Sequence, residues 1–273
     1  MENRWKLVAL DMDGTLLTTD KRLLPETERD IREAAEEGVQ FVFCSGRTLP
    51  EIFLFTEQLP MIRYSVCMSG SLVLDLREDR ILYRNAIKRE YIRLILDVAE
   101  ADDGMAHLLT DRESVVRGDQ VTHMADFGLP DFQETFLLTT RSVTDLRSEA
   151  ERYDSVPKAN IYARSSEARQ RAYERLKDLP LTIAFLRDST LEITAEGVTK
   201  AVGMQALADH LGITMADVMA VGDSENDRAV LEAVGFPVAM ANAEEGIRKL
   251  CHAVTADNDH NGVGEAVRKY FLN

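Results

Sequence analysis

Asp11 and Asp13 stand two residues apart in Asp11-Met12-Asp13-Gly14-Thr15, directly after the apolar run Lys6–Leu10. In extended backbone, residues i and i+2 point to the same side, so the two carboxylates converge. An Asp-Gly turn accounts for Asp13-Gly14 without any chemistry. It leaves Asp11 unexplained, because an apolar residue is the routine occupant at the end of a buried strand. Ser45-Gly46-Arg47 offers a hydroxyl and backbone N–H groups at the entry to a helix, a setting that suits an anion. By itself it reads equally well as a loop with a helix cap. Lys200 opens a helical pattern after Thr199. A cation there opposes the helix dipole at a cost of a few tenths to ~1 kcal/mol. A neighbouring anion would offset that cost; an exposed lysine on a turn is the plain alternative. Gly222-Asp223-Ser224-Glu225-Asn226-Asp227 packs more ligand-type side chains together than helix capping needs.

Taken together, the clusters gather carboxylates that repel one another. Like charges ~4 Å apart cost about 4 kcal/mol at protein-surface dielectric. A divalent cation turns that repulsion into binding, and an all-oxygen donor set points to Mg²⁺.

Each cluster follows a segment that reads as a parallel strand. Lys6–Leu10, Val39–Cys44 and Tyr64–Met68 are short apolar runs, separated by helical patterns over Pro25–Glu37 and Leu49–Gln58. The last third repeats the rhythm. Helices are expected over Thr199–Leu211, Glu225–Val234, Glu244–Leu250 and Val263–Phe271, with strands over Val218–Val221, Pro237–Met240 and near Ala253. The β-α-β alternation predicts an α/β fold with a Rossmann-like parallel sheet core. In such sheets ligands bind outside the carboxyl ends of the strands, where all four clusters fall. The middle of the chain differs. It reads as a hairpin around Arg77–Asp79, a helix over Arg89–Ala101, and strands near Ala106–Leu109 and Ser114–Arg117. An irregular stretch follows through Pro130, then a strand near Ala159–Ala163, a helix over Glu167–Lys177 and a strand near Leu181–Phe185. The expectation is a core of residues 1–84 and 189–273, with residues 85–188 inserted as a smaller α/β cap.

Composition narrows the function classes. With 45% apolar and 29% charged residues, the chain has a globular balance. A net charge of −15 repels nucleic acid and anionic lipid, so neither is an expected partner. No apolar run approaches the ~20 residues that span a bilayer. The first residues carry no apolar leader, so the expected location is cytoplasmic. Three scattered cysteines read as reduced core residues, and neither they nor the five dispersed histidines form a zinc pattern. A monomer or homodimer is expected.

The order DxDGT, Ser45-Gly46, Lys200 and GDxxND resembles the four motifs of the haloacid dehalogenase superfamily over nearly the whole chain. The inserted α/β cap and the segments Gly197–Lys200, Met240–Ala243, Ala253–Thr255 and Asn261–Val263 are similar to its Cof-type phosphatases. The resemblance implies that Asp11 is the nucleophile and a Mg²⁺ ligand. Asp13 would be general acid and then base, and would bind the metal through its backbone carbonyl. Ser45 and Gly46 would hold the phosphoryl group of a small-molecule phosphate ester, with Arg47 nearby. Lys200 would neutralise that group, Asp223 would bind Mg²⁺ and Asn226 would contact phosphate. Asp227 would steady either the metal or Lys200. Two departures stand out: Ser69-Gly70 where Asn-Gly is usual, and Ala241 where Gly often precedes Asn-Ala. Transfer to a second hydroxyl instead of water is the nearest rival chemistry, and a turnover-deficient sensor is the rival from another class. In the cap, His107, His123, Arg164 and Arg187 are conceivable substrate contacts, although surface or structural roles are the plainer reading.

Overall fold

The computed structural model describes residues 5–272. Two compact units are distinguished. One holds the described residues up to 47 together with 52–83 and those from 199 on; the other holds 48–51 and 84–198.

The first unit begins with β1 (Leu7–Leu10), β2 (Gln40–Cys44), β3 (Tyr64–Cys67), β4 (Leu72–Asp75) and β5 (Arg80–Arg84). All four residues of β1 are buried, as the unbroken apolar run requires for a strand covered on both faces. Helix Pro25–Glu36 has Pro25 at its start and turns Ile31 and Ala34 inward. Helix Leu49–Thr56 follows β2.

The second unit contributes β6 (Ile87–Lys88), β7 (Met105–Leu109), β8 (Ser114–Arg117), β9 (Thr140–Val143), β10 (Ser155–Val156), β11 (Lys158–Tyr162), β12 (Leu181–Leu186) and β13 (Thr190–Ala195). Six of these form one sheet in the order β12-β13-β11-β7-β8-β9. One face carries Leu108, Val115, Ala159, Ile161, Leu191 and Ile193 in an apolar core with Ile92, Ile95 and Leu96 of helix Arg89–Ala101.

Sequence reading stopped the insertion at residue 188, and the structure corrects this. Thr190–Ala195 is a strand paired antiparallel with both β11 and β12, so this second unit runs to Val198. The strand escaped notice because Glu192 and Thr194 look solvent-facing. Both are buried, and Glu192 is ion-paired with Lys158. The stretch read as irregular holds the short helices Gly118–Val121 and Met124–Phe127, followed by Pro130–Phe132 and Gln133–Thr139; Val121, Met124, Phe127 and Phe136 form a second cluster with Met105, Val116 and Tyr162. β9 and helix Leu146–Ala150 were also missed.

The chain returns to the first unit as β14 (Val218–Gly222), β15 (Phe236–Ala239) and β16 (Ala253–Val254). The complete sheet runs β16-β15-β14-β1-β2-β3-β4-β5. β1 pairs parallel with β14 on one side and with β2 on the other. Successive strands therefore depart from β1 in one direction and resume on its opposite flank, which creates a topological switch point beside β1. The expected helix over Glu225–Val234 divides into a tight turn, Glu225–Asp227, and helix Arg228–Ala233. The last helix is Gly262–Val267, continued by the wider π turn Arg268–Leu272. Among the described residues, no helix is long and apolar enough to cross a membrane.

Candidate active site

Asp11 is the first residue past β1 and is almost wholly buried. Its amide still donates to the Val221 carbonyl at 3.1 Å, and its own carbonyl accepts from Leu16 at 3.2 Å. The chain thus curls tightly beyond the strand end and passes through Gly14 at φ +83°. A Cβ on Gly14 would sit 2.5 Å from Oδ2 of Asp223, so only glycine lets the turn come this close to the carboxylate leaving β14. Thr15 donates its hydroxyl to Oδ1 of Asp223 at 2.8 Å, and Asn242 donates Nδ2 to the Gly14 carbonyl at 2.8 Å.

Lys200 is the first residue of helix Lys200–Leu211, whose N-terminus is capped by the Thr199 side chain. Its side chain is 1% exposed. The ammonium donates to Oδ1 of Asp11 at 2.6 Å, to Oδ1 of Asp227 at 2.7 Å and, at 3.3 Å, to Oδ1 of Asn226. The second Asp227 oxygen accepts the amides of Asp223 and Ser224 at 3.1 and 3.2 Å. Asp227 therefore holds Lys200 with one oxygen and the loop after β14 with the other.

Oxygens of Asp11, Asp223 and Asp227 all lie within 4.8 Å of one another. Three carboxylates face one ammonium, and the setting weakens the acidity of two of them. Burial pushes Asp11 well above the usual carboxylate range, and the Asp227 charge adds to this, against the pull of Lys200. Burial, with a contribution from Asp227, raises Asp223 to about 6 despite the Thr15 hydrogen bond. Burial opposes the charge on Lys200, but Asp11 and Asp227 outweigh it and keep the ammonium protonated well above its ordinary range. An excess of buried, oxygen-only negative charge fits a hard divalent cation.

Asp13 faces a different environment. Arg47 grips both its oxygens, from Nε at 2.7 Å and from a terminal nitrogen at 2.9 Å, and Lys21 Nζ adds a 2.7 Å contact. Burial would raise this carboxyl, but the two cations overcome it and hold it well below the usual range. Arg47 also lies over the Phe55 ring, 5.3 Å from its centroid. Ser45 is buried, and its hydroxyl accepts the Arg47 amide at 3.2 Å.

The structure thus brings Asp11, Lys200, Asp223, Asn226 and Asp227 into one cluster, and joins Asp13 to Arg47 and Ser45 in a linked one. Sequence reasoning missed Lys21, which has no local signal. It also missed the tie from Thr15 to Asp223, although Thr15 belongs to the quoted motif. In the second unit, the four conceivable contacts are engaged internally. His107 is buried, its imidazole pushed down to about 3 by burial and then by the Lys158 charge, and its Nδ1 lies 3.2 Å from the Tyr162 hydroxyl. Arg164 pairs with Asp103 and Asp126. The Arg187 guanidinium lies over the Phe132 ring, and His123 Nδ1 meets the Thr122 hydroxyl.

A parallel sheet with acids and a lysine converging at its switch point is the architecture of a phosphoryl-handling α/β hydrolase. The sequence model of the haloacid dehalogenase-like hydrolases matches residues 8–267, and the chain belongs to that family, in its Cof-type branch. It is 28% identical over 272 residues to the 5-amino-6-(5-phospho-D-ribitylamino)uracil phosphatase of Bacillus subtilis, covering 98% of this chain and 96% of that protein. It is 27% identical to the phosphoglycolate phosphatase of Methanothermobacter thermautotrophicus, covering 97% and 99%. A haloacid dehalogenase-like hydrolase from Bacteroides thetaiotaomicron superimposes with a TM-score of 0.88 at 23% identity, over 98% of this chain and all of that one. The chain is a hydrolase of this family, and the relatives named above are phosphatases.

Proposed function

We infer that the protein is a Mg²⁺-dependent phosphatase that hydrolyses a small organic phosphate monoester through an aspartyl-phosphate on Asp11. The observation that carries this reading is the Lys200 ammonium, buried between Asp11 and Asp227 beside the Asp223 carboxylate. Asp11, Asp223 and the Asp13 backbone carbonyl would hold the cation, which when bound supplies positive charge to the phosphoryl oxygens. Both oxygens of Asp227 already have protein donors, which favours its role as the anchor of Lys200 over that of a metal ligand.

Asp11 attacks phosphorus, and an Asp11 oxygen–phosphorus bond forms as the ester oxygen–phosphorus bond breaks. Lys200 neutralises charge on the phosphoryl group, with Ser45, Gly46 and Asn226 contacting its oxygens. The departing alkoxide takes a proton from Asp13. Asp13 then recovers a proton from water as that water attacks phosphorus and releases Asp11 as a carboxylate. This role needs Asp13 protonated, whereas Arg47 and Lys21 hold it ionised. On this reading the substrate phosphate draws both Arg47 and Lys21 off Asp13, and Asp13 takes up its proton once both cations have left it. The second unit reads the organic part of the ester, and the location is cytoplasmic. The named relatives act on esters as different as a ribityl phosphate bearing a uracil and phosphoglycolate, so the motifs set the phosphoryl chemistry and leave the alcohol to other residues.

The test is phosphate release from p-nitrophenyl phosphate and a metabolite panel, with Mg²⁺ or chelator, alongside Asp11→Asn. Turnover is expected to need Mg²⁺ and to vanish in the near-isosteric variant with the fold intact. Activity retained by Asp11→Asn would refute the assignment.

A further inference from the structure

Three consecutive residues after β3, Met68, Ser69 and Gly70, have positive φ angles of 50°, 60° and 100°. Side chains of L-residues disfavour this region, and Met68 is fully buried, so the surroundings must hold the conformation in place. The Met68 amide donates to the Arg47 carbonyl at 3.0 Å, and the Ser69 amide donates to the Ser45 carbonyl at 3.1 Å. The Ser45 amide in turn donates to the Val66 carbonyl at 2.8 Å. The Ser45–Arg47 turn is therefore fastened to the end of β3 by backbone bonds.

Gly70 makes the second connection. A Cβ there would lie 2.0 Å from the Thr199 carbonyl oxygen and 3.0 Å from the Lys200 nitrogen. One turn into the same helix, a Cβ on Gly203 would lie 2.6 Å from Cγ1 of Val66 and 3.0 Å from the Gly70 Cα. Gly70 and Gly203 thus meet across a seam with no room for a methyl group, and that seam fixes how closely the first turn carrying Lys200 approaches β3.

On the reading of Ser45 and Lys200 given above, we propose that the left-handed loop Met68–Gly70 is the positioning element of the site. It fastens the anion-gripping turn and the lysine-bearing helix to one strand end, so that hydroxyl and ammonium meet the same phosphoryl group. Gly70 acts through Lys200, and the Met68 and Ser69 amides act through the Ser45 turn. The bonds named here come from backbone groups, and the close approach comes from the missing side chain of Gly70.

The experiment compares Gly70→Ala, Gly203→Ala and the double variant Val66→Ala/Gly203→Ala with the parent chain on p-nitrophenyl phosphate. Displacing Lys200 by a fraction of an ångström to an ångström should lower kcat by ~10–100-fold in Gly70→Ala. The Mg²⁺ concentration for half-activation should change little, because Asp223 is untouched, and KM should rise by less than kcat falls. Gly203→Ala should lose less, and removing the Val66 branch should restore most of its kcat. The proposal is overturned if both glycine variants keep kcat within about twofold of the parent, or if the loss only follows the unfolded fraction in thermal melts. Should Gly70→Ala not fold, the rescue pair decides: a double variant that regains melting temperature without regaining kcat overturns the proposal. A parent chain that releases no phosphate would instead refute the phosphatase reading itself.

Discussion

Replacing Lys200 with Met keeps the buried stem and removes the ammonium that separates Asp11 from Asp227. Two carboxylates, each at most 5% exposed, then face each other without a counter-charge. Removing one partner of a buried ion pair destabilises by about 3–5 kcal/mol. For a chain of this size, about 2–4 °C is lost per kcal/mol, which gives a fall in Tm of about 6–20 °C in chelator at pH 7.5. The deficit should depend on pH with a definite sign. Burial holds the Asp11 carboxyl above its unfolded value, so the folded state binds the proton more tightly. Its contribution to stability is present at low pH and is lost as pH rises through the folded value. Protonation can therefore substitute for the missing lysine, and the variant should approach the parent at pH 5.0. Paired thermal melts at the two pH values, with and without Mg²⁺, provide the assay. Equal Tm values for variant and parent at pH 7.5 would refute the reasoning. So would a deficit of the same size at both pH values, which would mark a packing effect instead of an electrostatic one.

Two further outcomes are expected. Asp223 is raised to about 6, so its deprotonation costs the cation-free protein stability as pH rises from about 4 through about 6; Mg²⁺ should accordingly raise Tm more at pH 7.5 than at pH 5.0, and an equal increment at both would count against Asp223 as a ligand. Gly14→Ala drives a methyl into the Asp223 carboxylate and imposes φ +83° on alanine, so the Mg²⁺ concentration for half-activation should rise ~10–100-fold, and an unchanged value would show that the close approach is immaterial.

Much of the first unit was legible because its signals are local. β1 is an unbroken apolar run, β2 is apolar after Gln40, Pro25 starts a helix, and each polar cluster sits within a few residues of a strand end. Spacing alone announced Asp11 and Asp13 as a pair of acids leaving a strand. Their different fates were not legible. Asp11 meets Lys200, 189 residues away, while Asp13 is gripped by Arg47 and Lys21. No local pattern records which acid will find which cation.

The inserted unit was harder to read for a related reason. Thr190–Ala195 is a strand whose Glu192 is tolerated in the interior because Lys158 on the neighbouring strand pairs with it. A residue-by-residue reading assigns each charge to solvent until its partner is known. The sequence by itself determined the alternation of strands and helices in the first unit and the chemical types at its strand ends. Only the tertiary structure decided that Lys200 stands between Asp11 and Asp227, that Asp13 is held by Arg47, and that Gly70 lies against Thr199. Those are distances between segments remote in the chain, and parallel pairing of β14 with β1 and of β1 with β2 is what brings the segments together.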